Sequence, residues 1–193
     1  MKTKELLSES FRELVLIMPL QKISIKMITD RANVIRPTFY NYFQDKYEVI
    51  EYLFDKDIGN KVNVMLENGM DQEAVKLMFI CFEKNRQYYG NLFALSGQNS
   101  FEEYFGKFVK KTFLEILNRH PQKQMPSELL SPERMARFSA LLLTEVLKLW
   151  LTDTPPISGE EMYEAYLLAM RTPVLDMIGY PAGEQKTPPR EQP

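Results

Sequence analysis

The stretch from Lys22 to Lys46, KISIKMITDRANVIRPTFYNYFQDK, constrains the fold most. It reads as two short helices joined by a tight turn, the layout of a helix-turn-helix whose second helix enters the DNA major groove. The spacing predicts a first helix from about Ile25 to Ala32, with Ser24 as N-cap because its hydroxyl can accept from a free first-turn N–H. Ile25, Ile28 and Ala32 recur at helical period and face a core. Asn33 falls where the chain must turn sharply, and Asn tolerates the left-handed conformation better than other non-glycine residues. Val34 plugs the space between the helices. Pro37 suits the first turn of the next helix, where its missing N–H costs little. Thr38 to Phe43 is the predicted second helix. Its Phe39 and Phe43 turn inward, while Thr38, Asn41 and Tyr42 point elsewhere and Tyr40 lies near the edge. Asp45 caps a following helix, with Glu48 completing the box.

The rest of the chain is helical in period, with no alternating strand pattern. An opening helix over Thr3–Met18 buries Leu6, Leu7, Phe11, Leu14, Val15 and Met18. A long helix from Lys46 stops at Asn68-Gly69, and Asp71 is read as the cap of the next. A short segment spans Tyr88–Leu95. Ser100, Ser131 and Ser158 then open three longer helices, the last closing at Gly179 and Pro181. The reading is all-α, about nine helices. Residues 1–46 form a three-helix DNA-binding domain and 47–180 a larger helical body. The proline-rich stretch 181–193 lacks the apolar residues to order itself.

Composition narrows the function classes. The 193 residues carry one Cys and one His, which excludes an internal disulfide framework and leaves little for a Cys-His or Ser-His nucleophile or a closed zinc site. Neither a phosphate-binding loop nor a dinucleotide fingerprint occurs. No metal or cofactor and no enzymatic activity are therefore expected. Glu145 and Lys148 interrupt the apolar segment Ala140–Leu151, so no membrane partner is expected, and a cytoplasmic location follows from the cysteine usage and the lack of a leader. Charge is uneven. Residues 1–46 hold eight Lys or Arg against five Asp or Glu, while the whole chain is at −2, so a basic head sits on an acidic body.

The segments ISIKMITDRANV, RPTFYNYF and DKYEVI closely resemble the DNA-binding domain of TetR/AcrR-type transcriptional regulators, with Asn33 where that family usually has Gly. The resemblance covers about residues 3–56. It implies phosphate contacts from the Thr38 and Tyr40 hydroxyls and from Lys46. It also places Arg36, Pro37, Asn41 and Tyr42 near base edges, with Lys26 beside them in the DNA-binding set. The implied partner is a double-stranded, palindromic operator bound by a homodimer that responds to an effector, most simply a repressor.

The helical order also resembles this family's layout, in which the last two helices pair with their copies in a second subunit. Leu142, Val146, Leu149, Trp150, Tyr163, Tyr166 and Met170 are the expected dimer residues. The mid-body aromatics Phe82, Tyr88, Tyr89, Phe93, Tyr104, Phe105 and Phe108 are candidates for an effector pocket, against the alternative that they are core. SGQNSFEEYF and LKLWLTDTPPISGEEM are similar to a subgroup that includes activators of dihydroxyacetone utilisation. That similarity adds a protein coregulator beside a small-molecule effector as the expected partner, and an activator under such a coregulator is the alternative reading. A helical adaptor without DNA affinity is a further rival.

Overall fold

The structure, a computed structural model, describes residues 2–94, 100–120, 130–154 and 156–172. Among them are nine α-helices, one 3₁₀ turn and no strand. The head comprises α1 (Thr3–Ile17), the 3₁₀ turn Leu20–Lys22, α2 (Ile25–Arg31) and α3 (Arg36–Tyr40). Helix α4 covers 46–67 as Lys46–Phe54, a π turn Asp55–Gly59, and Asn60–Glu67. The body continues with α5 (Asp71–Lys84), α6 (Arg86–Phe93), α7 (Phe101–Arg119), α8 (Pro132–Thr152) and α9 (Gly159–Arg171). The expected end of the last helix at Gly179 and the stretch 181–193 lie outside the described residues.

Local chemistry sets most boundaries. The side chains of Ser24, Asp45, Ser100, Ser131 and Ser158 each accept from first-turn backbone N–H groups. Asp71 departs from expectation. Met70 occupies the N-cap, and the Asp71 carboxylate is taken instead by Arg119 Nη1 at 2.8 Å and His120 Nε2 at 2.6 Å. Helix α3 begins at Arg36 and closes at Tyr40, earlier than expected. Ile35 is the extended N-cap, so Pro37 falls inside the first turn where no N–H is needed.

The interior is continuous from head to body. Phe54 of α4 sits at its centre, with ring centroids 5.9, 5.6, 5.8 and 4.9 Å from Phe101, Tyr104, Phe105 and Phe108 of α7. Helices α7 and α8 run antiparallel: Glu102 pairs with Lys148, and Gly106 lies beside Thr144. Arg86 closes the far end by donating to Trp150 O at 2.6 Å and Ile157 O at 2.9 Å.

The start of α9 rests directly on α5. A Cβ at Gly159 would come within 2.8 Å of Phe79 O and 3.0 Å of Phe79 C, both backbone atoms that cannot step aside. Gly159→Ala is therefore expected to push α9 off α5 and disturb Tyr163 and Tyr166 against Phe79. The expected loss is about 1–3 kcal/mol, read as a lowered thermal midpoint. An unchanged midpoint would show that this contact relaxes freely.

Candidate nucleic-acid interface and its coupling to the body

The turn between α2 and α3 is a Schellman closure. Val34 N donates to Thr29 O at 3.0 Å and Asn33 N to Asp30 O at 3.2 Å. Asn33 takes φ 51° and is the one non-glycine residue with positive φ among those described. This locks α3 across α2, with Phe39 and Phe43 buried and their ring centroids 5.7 Å apart. The opposite face is open. Lys26, Arg36, Pro37, Tyr40, Asn41 and Tyr42 are exposed, and Thr38 is half-buried. Arg36 Nη2 donates to Tyr40 Oη at 3.0 Å and lies over its ring, so the two are held side by side. Lys26 is in an exposed pair with Asp30, a weak tie that a phosphate can displace. Ile35, 71% exposed at the start of α3, was missed in sequence. An exposed β-branched residue at the tip of such a helix suits contact with a thymine methyl group.

Lys46 has a structural role besides the expected phosphate contact. It is half-buried, and its ammonium donates to Leu20 O at 2.7 Å and Ile23 O at 2.9 Å. Burial pushes its pKa down. Two of its three N–H groups thus pin α4 to the 3₁₀ turn. Its main visible role is to hold the head together, with one N–H left for a phosphate.

The π turn in α4 joins head to body. An extra residue per turn re-aims side chains, and such turns are frequent at functional positions. Asp55 faces α7 and accepts from Tyr104 Oη at 3.1 Å. Asp57 faces the other way. It accepts from Arg12 Nη2 of α1 at 2.9 Å and from Tyr89 Oη of α6 at 3.1 Å. Arg12 also bonds Glu9 at 3.0 Å and lies over the Tyr88 ring. Arg12 Nη1 and Tyr88 Oη are buried with no hydrogen-bond partner. Burial raises the pKa of both tyrosines and keeps them neutral, so Tyr89 is a proton donor to Asp57. Nearby, α6 side chains hold the end of α1, with Asn91 Nδ2 donating to Val15 O at 2.9 Å. Arg12 and Asp57 were not picked out in sequence. One signal was available: Arg12 shares a helical face with Ser8 and Val15, both buried.

A cleft of about 500 Å³ lies between the start of α4 and the start of α7. Asp45, Glu48, Glu51 and Glu103 line it with Tyr104 and Lys107. Burial, then the charges of Asp55, Glu48 and Asp45, raise the Glu51 pKa. The ionised form is thus disfavoured in the folded state. That cost is absent below the unfolded value and is complete above the raised folded value. Glu51→Gln should accordingly raise the thermal midpoint at pH 7, with the gain fading as pH falls through the raised folded pKa and gone below the unfolded value. A gain that persisted undiminished at low pH would remove charge as its cause.

The remaining expectations divide. Of the seven aromatic pocket candidates, Phe82, Tyr88, Tyr89, Phe93 and Phe105 are buried in the core. Their rings fill space edge to face, with Phe82 and Tyr89 centroids 4.6 Å apart. Phe108 is half-buried against Phe54, and Tyr104 alone of the seven borders the acidic cleft. Among the dimer candidates, Trp150, Tyr163 and Tyr166 are buried inside the protomer and leave the set. Trp150 Nε1 donates to Ile157 O at 2.9 Å, a use of the indole that periodicity could not reveal. Val146 is half-buried. Leu142, Leu149 and Met170 are exposed, and so are Phe138, Leu141 and Leu168. Phe138, Leu142 and Leu149 form one stripe along α8.

Among the described residues, no helix is long and apolar enough to cross a membrane, and no group of three potential metal ligands occurs. Residues 71–170 match the TetR-type family model described as "Transcriptional regulator C-terminal region". The HTH-type dhaKLM operon transcriptional activator DhaS of Lactococcus lactis subsp. lactis (strain IL1403) is 26% identical over 103 residues, which are 53% of this chain and 54% of that protein. The match thus spans about half the length of the curated relative. A solved "Dihydroxyacetone kinase operon activator DhaS" superposes with TM-score 0.66 at 21% identity, covering 88% of this chain and 95% of that one. A TetR transcriptional regulator from Streptococcus agalactiae 2603V gives TM-score 0.65 at 20% identity, covering 86% and 91%.

Proposed function

This chain belongs to the TetR family of transcriptional regulators, and from that premise we propose that it acts as an effector-responsive homodimer on a two-fold operator, most simply as a repressor. The observation that carries the reading is the exposed face of α3, with Arg36, Tyr40, Asn41 and Tyr42 held out by a closed turn and a buried Phe39. Two such faces on one dimer would meet successive major grooves about 34–36 Å apart, or a multiple of it. Residues 1–46 serve as the reading head. The body from 47 sets the distance between heads through the stripe Phe138, Leu142 and Leu149 of α8 and Leu168 of α9.

Control runs through the junction. Arg12, Asp57 and Tyr89 tie α1, the π turn and α6 together. A signal that binds the body better in one arrangement of this junction than in the other shifts operator affinity, and only its differential affinity does so. A second reading, an activator governed by a protein coregulator, is favoured by two observations. The mid-body interior is filled by aromatic rings, and two of the three relatives named above, both DhaS proteins, are operon activators.

The test is binding of the purified protein to genomic fragments, its own upstream region included, with random DNA as competitor. Selective binding that weakens steeply with salt supports the reading. Absence of binding to every fragment at every salt concentration, with and without cell extract, would support an adaptor.

A further inference from the structure

We propose that the groove between α7 and α8 binds a small amphipathic acid, a molecule with an anionic group at one end and an oxygen at the other. The groove is about 670 Å³, within the usual range for small-molecule sites. It is separate from the aromatic interior, and the proposal does not depend on what the protein regulates.

The floor is small. Gly106, Ala140 and Thr144 line it, and a Cβ built on Gly106 would have only Thr144 Oγ1 within 4 Å, at 3.9 Å. The space above Gly106 is therefore open, and the threonine hydroxyl borders it. Thr144 is 6% exposed, yet its Oγ1 has no hydrogen-bond partner. A helical threonine ordinarily bonds a carbonyl three or four residues back. Here that bond is not made, which leaves a buried hydroxyl facing the groove.

Charge fixes the direction. At one end the cations are already matched, Lys148 by Glu102 and Glu145, and Lys107 by Glu103. At the other end Lys110 and Arg137 line the groove; neither is in a salt bridge within 4 Å among the described residues, and Glu133, the one carboxylate there whose charge Lys110 stabilises, leaves two cations against one anion. An anion is thus favoured beside Lys110 and Arg137 and repelled by the carboxylates opposite. Seven residues of α8 separate Arg137 from Thr144, about 10 Å of helix. A molecule of that length puts its acid on the two cations, its carbon chain over Gly106, Ala140 and Leu141, and its far oxygen on Thr144. Carboxylate and phosphate monoester share the oxyanion chemistry required.

Calorimetric titration of the full-length protein tests the site, with 8-hydroxyoctanoate, octanoate, 1,8-octanediol and inorganic phosphate as probes. The expected order is 8-hydroxyoctanoate above octanoate, with octanediol far weaker and phosphate binding without the chain's contribution. Lys110→Gln with Arg137→Gln should weaken 8-hydroxyoctanoate by about tenfold or more. Thr144→Val should bring the two acids to equal affinity, and Gly106→Leu should abolish binding by filling the space. Should Gly106→Leu fail to fold, the surface pair Lys110 and Arg137 carries the test. Equal affinity of wild type and the Lys110/Arg137 variant, or no binding of either acid at millimolar concentration, would overturn the proposal.

Discussion

Arg12→Ala is expected to lower stability by about 3 kcal/mol, the scale for removing one partner of a buried ion pair. The side chains of Arg12 and Asp57 are only 14% and 18% exposed, so little water is at hand to replace the lost bond. The substitution leaves Asp57 with Tyr89 alone and strips Tyr88 of the cation over its ring. It also cuts the buried polar tie between α1 and the π turn, leaving only the more exposed Lys56–Glu9 pair at 3.3 Å, so the head should loosen before the body melts. Arg12→Met combined with Asp57→Leu should be much milder than the sum of the single changes, because neither charge is then stranded. Urea denaturation with a double-mutant cycle checks this. A loss well below 1 kcal/mol for Arg12→Ala would place the pair with ordinary surface ion pairs. It would also remove the junction from the account of control.

Leu142→Lys with Leu149→Lys should convert the protein to a folded monomer and reduce operator affinity by about 10²–10⁴-fold, the gain that linking two heads provides. Both side chains are exposed, Leu149 at 63%, so the lysines cost the protomer little. In a dimer they would face their own copies or another apolar stripe, and burying unpaired ammonium groups is prohibitive. Sedimentation gives the mass and gel shifts give the affinity. Affinity for an isolated half-site should be nearly unchanged, since α3 is untouched. A variant that remains dimeric would place the interface elsewhere than on α8.

What was legible in the sequence was local chemistry. Ser24, Asp45, Ser100, Ser131 and Ser158 cap helices through bonds to residues two or three positions away, so a single sequence suffices to find them. The turn at Asn33 was legible for the same reason. Asp71 was misjudged because its partners, Arg119 and His120, lie nearly fifty residues away. The π turn was hidden likewise: Asp55 and Asp57 are explained only by Tyr104 on one side and Arg12 and Tyr89 on the other. Periodicity flagged α8 as apolar on several sides but could not say which residues face a partner. The structure turns Leu143, Leu147 and Trp150 inward and leaves Phe138, Leu142 and Leu149 outside. The aromatics of α6 and α7 were legible as apolar, and packing rather than composition decides that most of them are core.

The most direct measurement compares wild type and Asn41→Ala on a selected operator, on its single-base variants and on random DNA. Asn41 is exposed at the end of α3 and makes no role in the core visible. If α3 reads bases, Asn41→Ala should lose about 1–3 kcal/mol on the operator. Preference should relax at one position in each half-site, while affinity for random DNA and its salt dependence stay as they were. An equal loss on operator and random DNA would contradict base reading by α3, and with it the central claim.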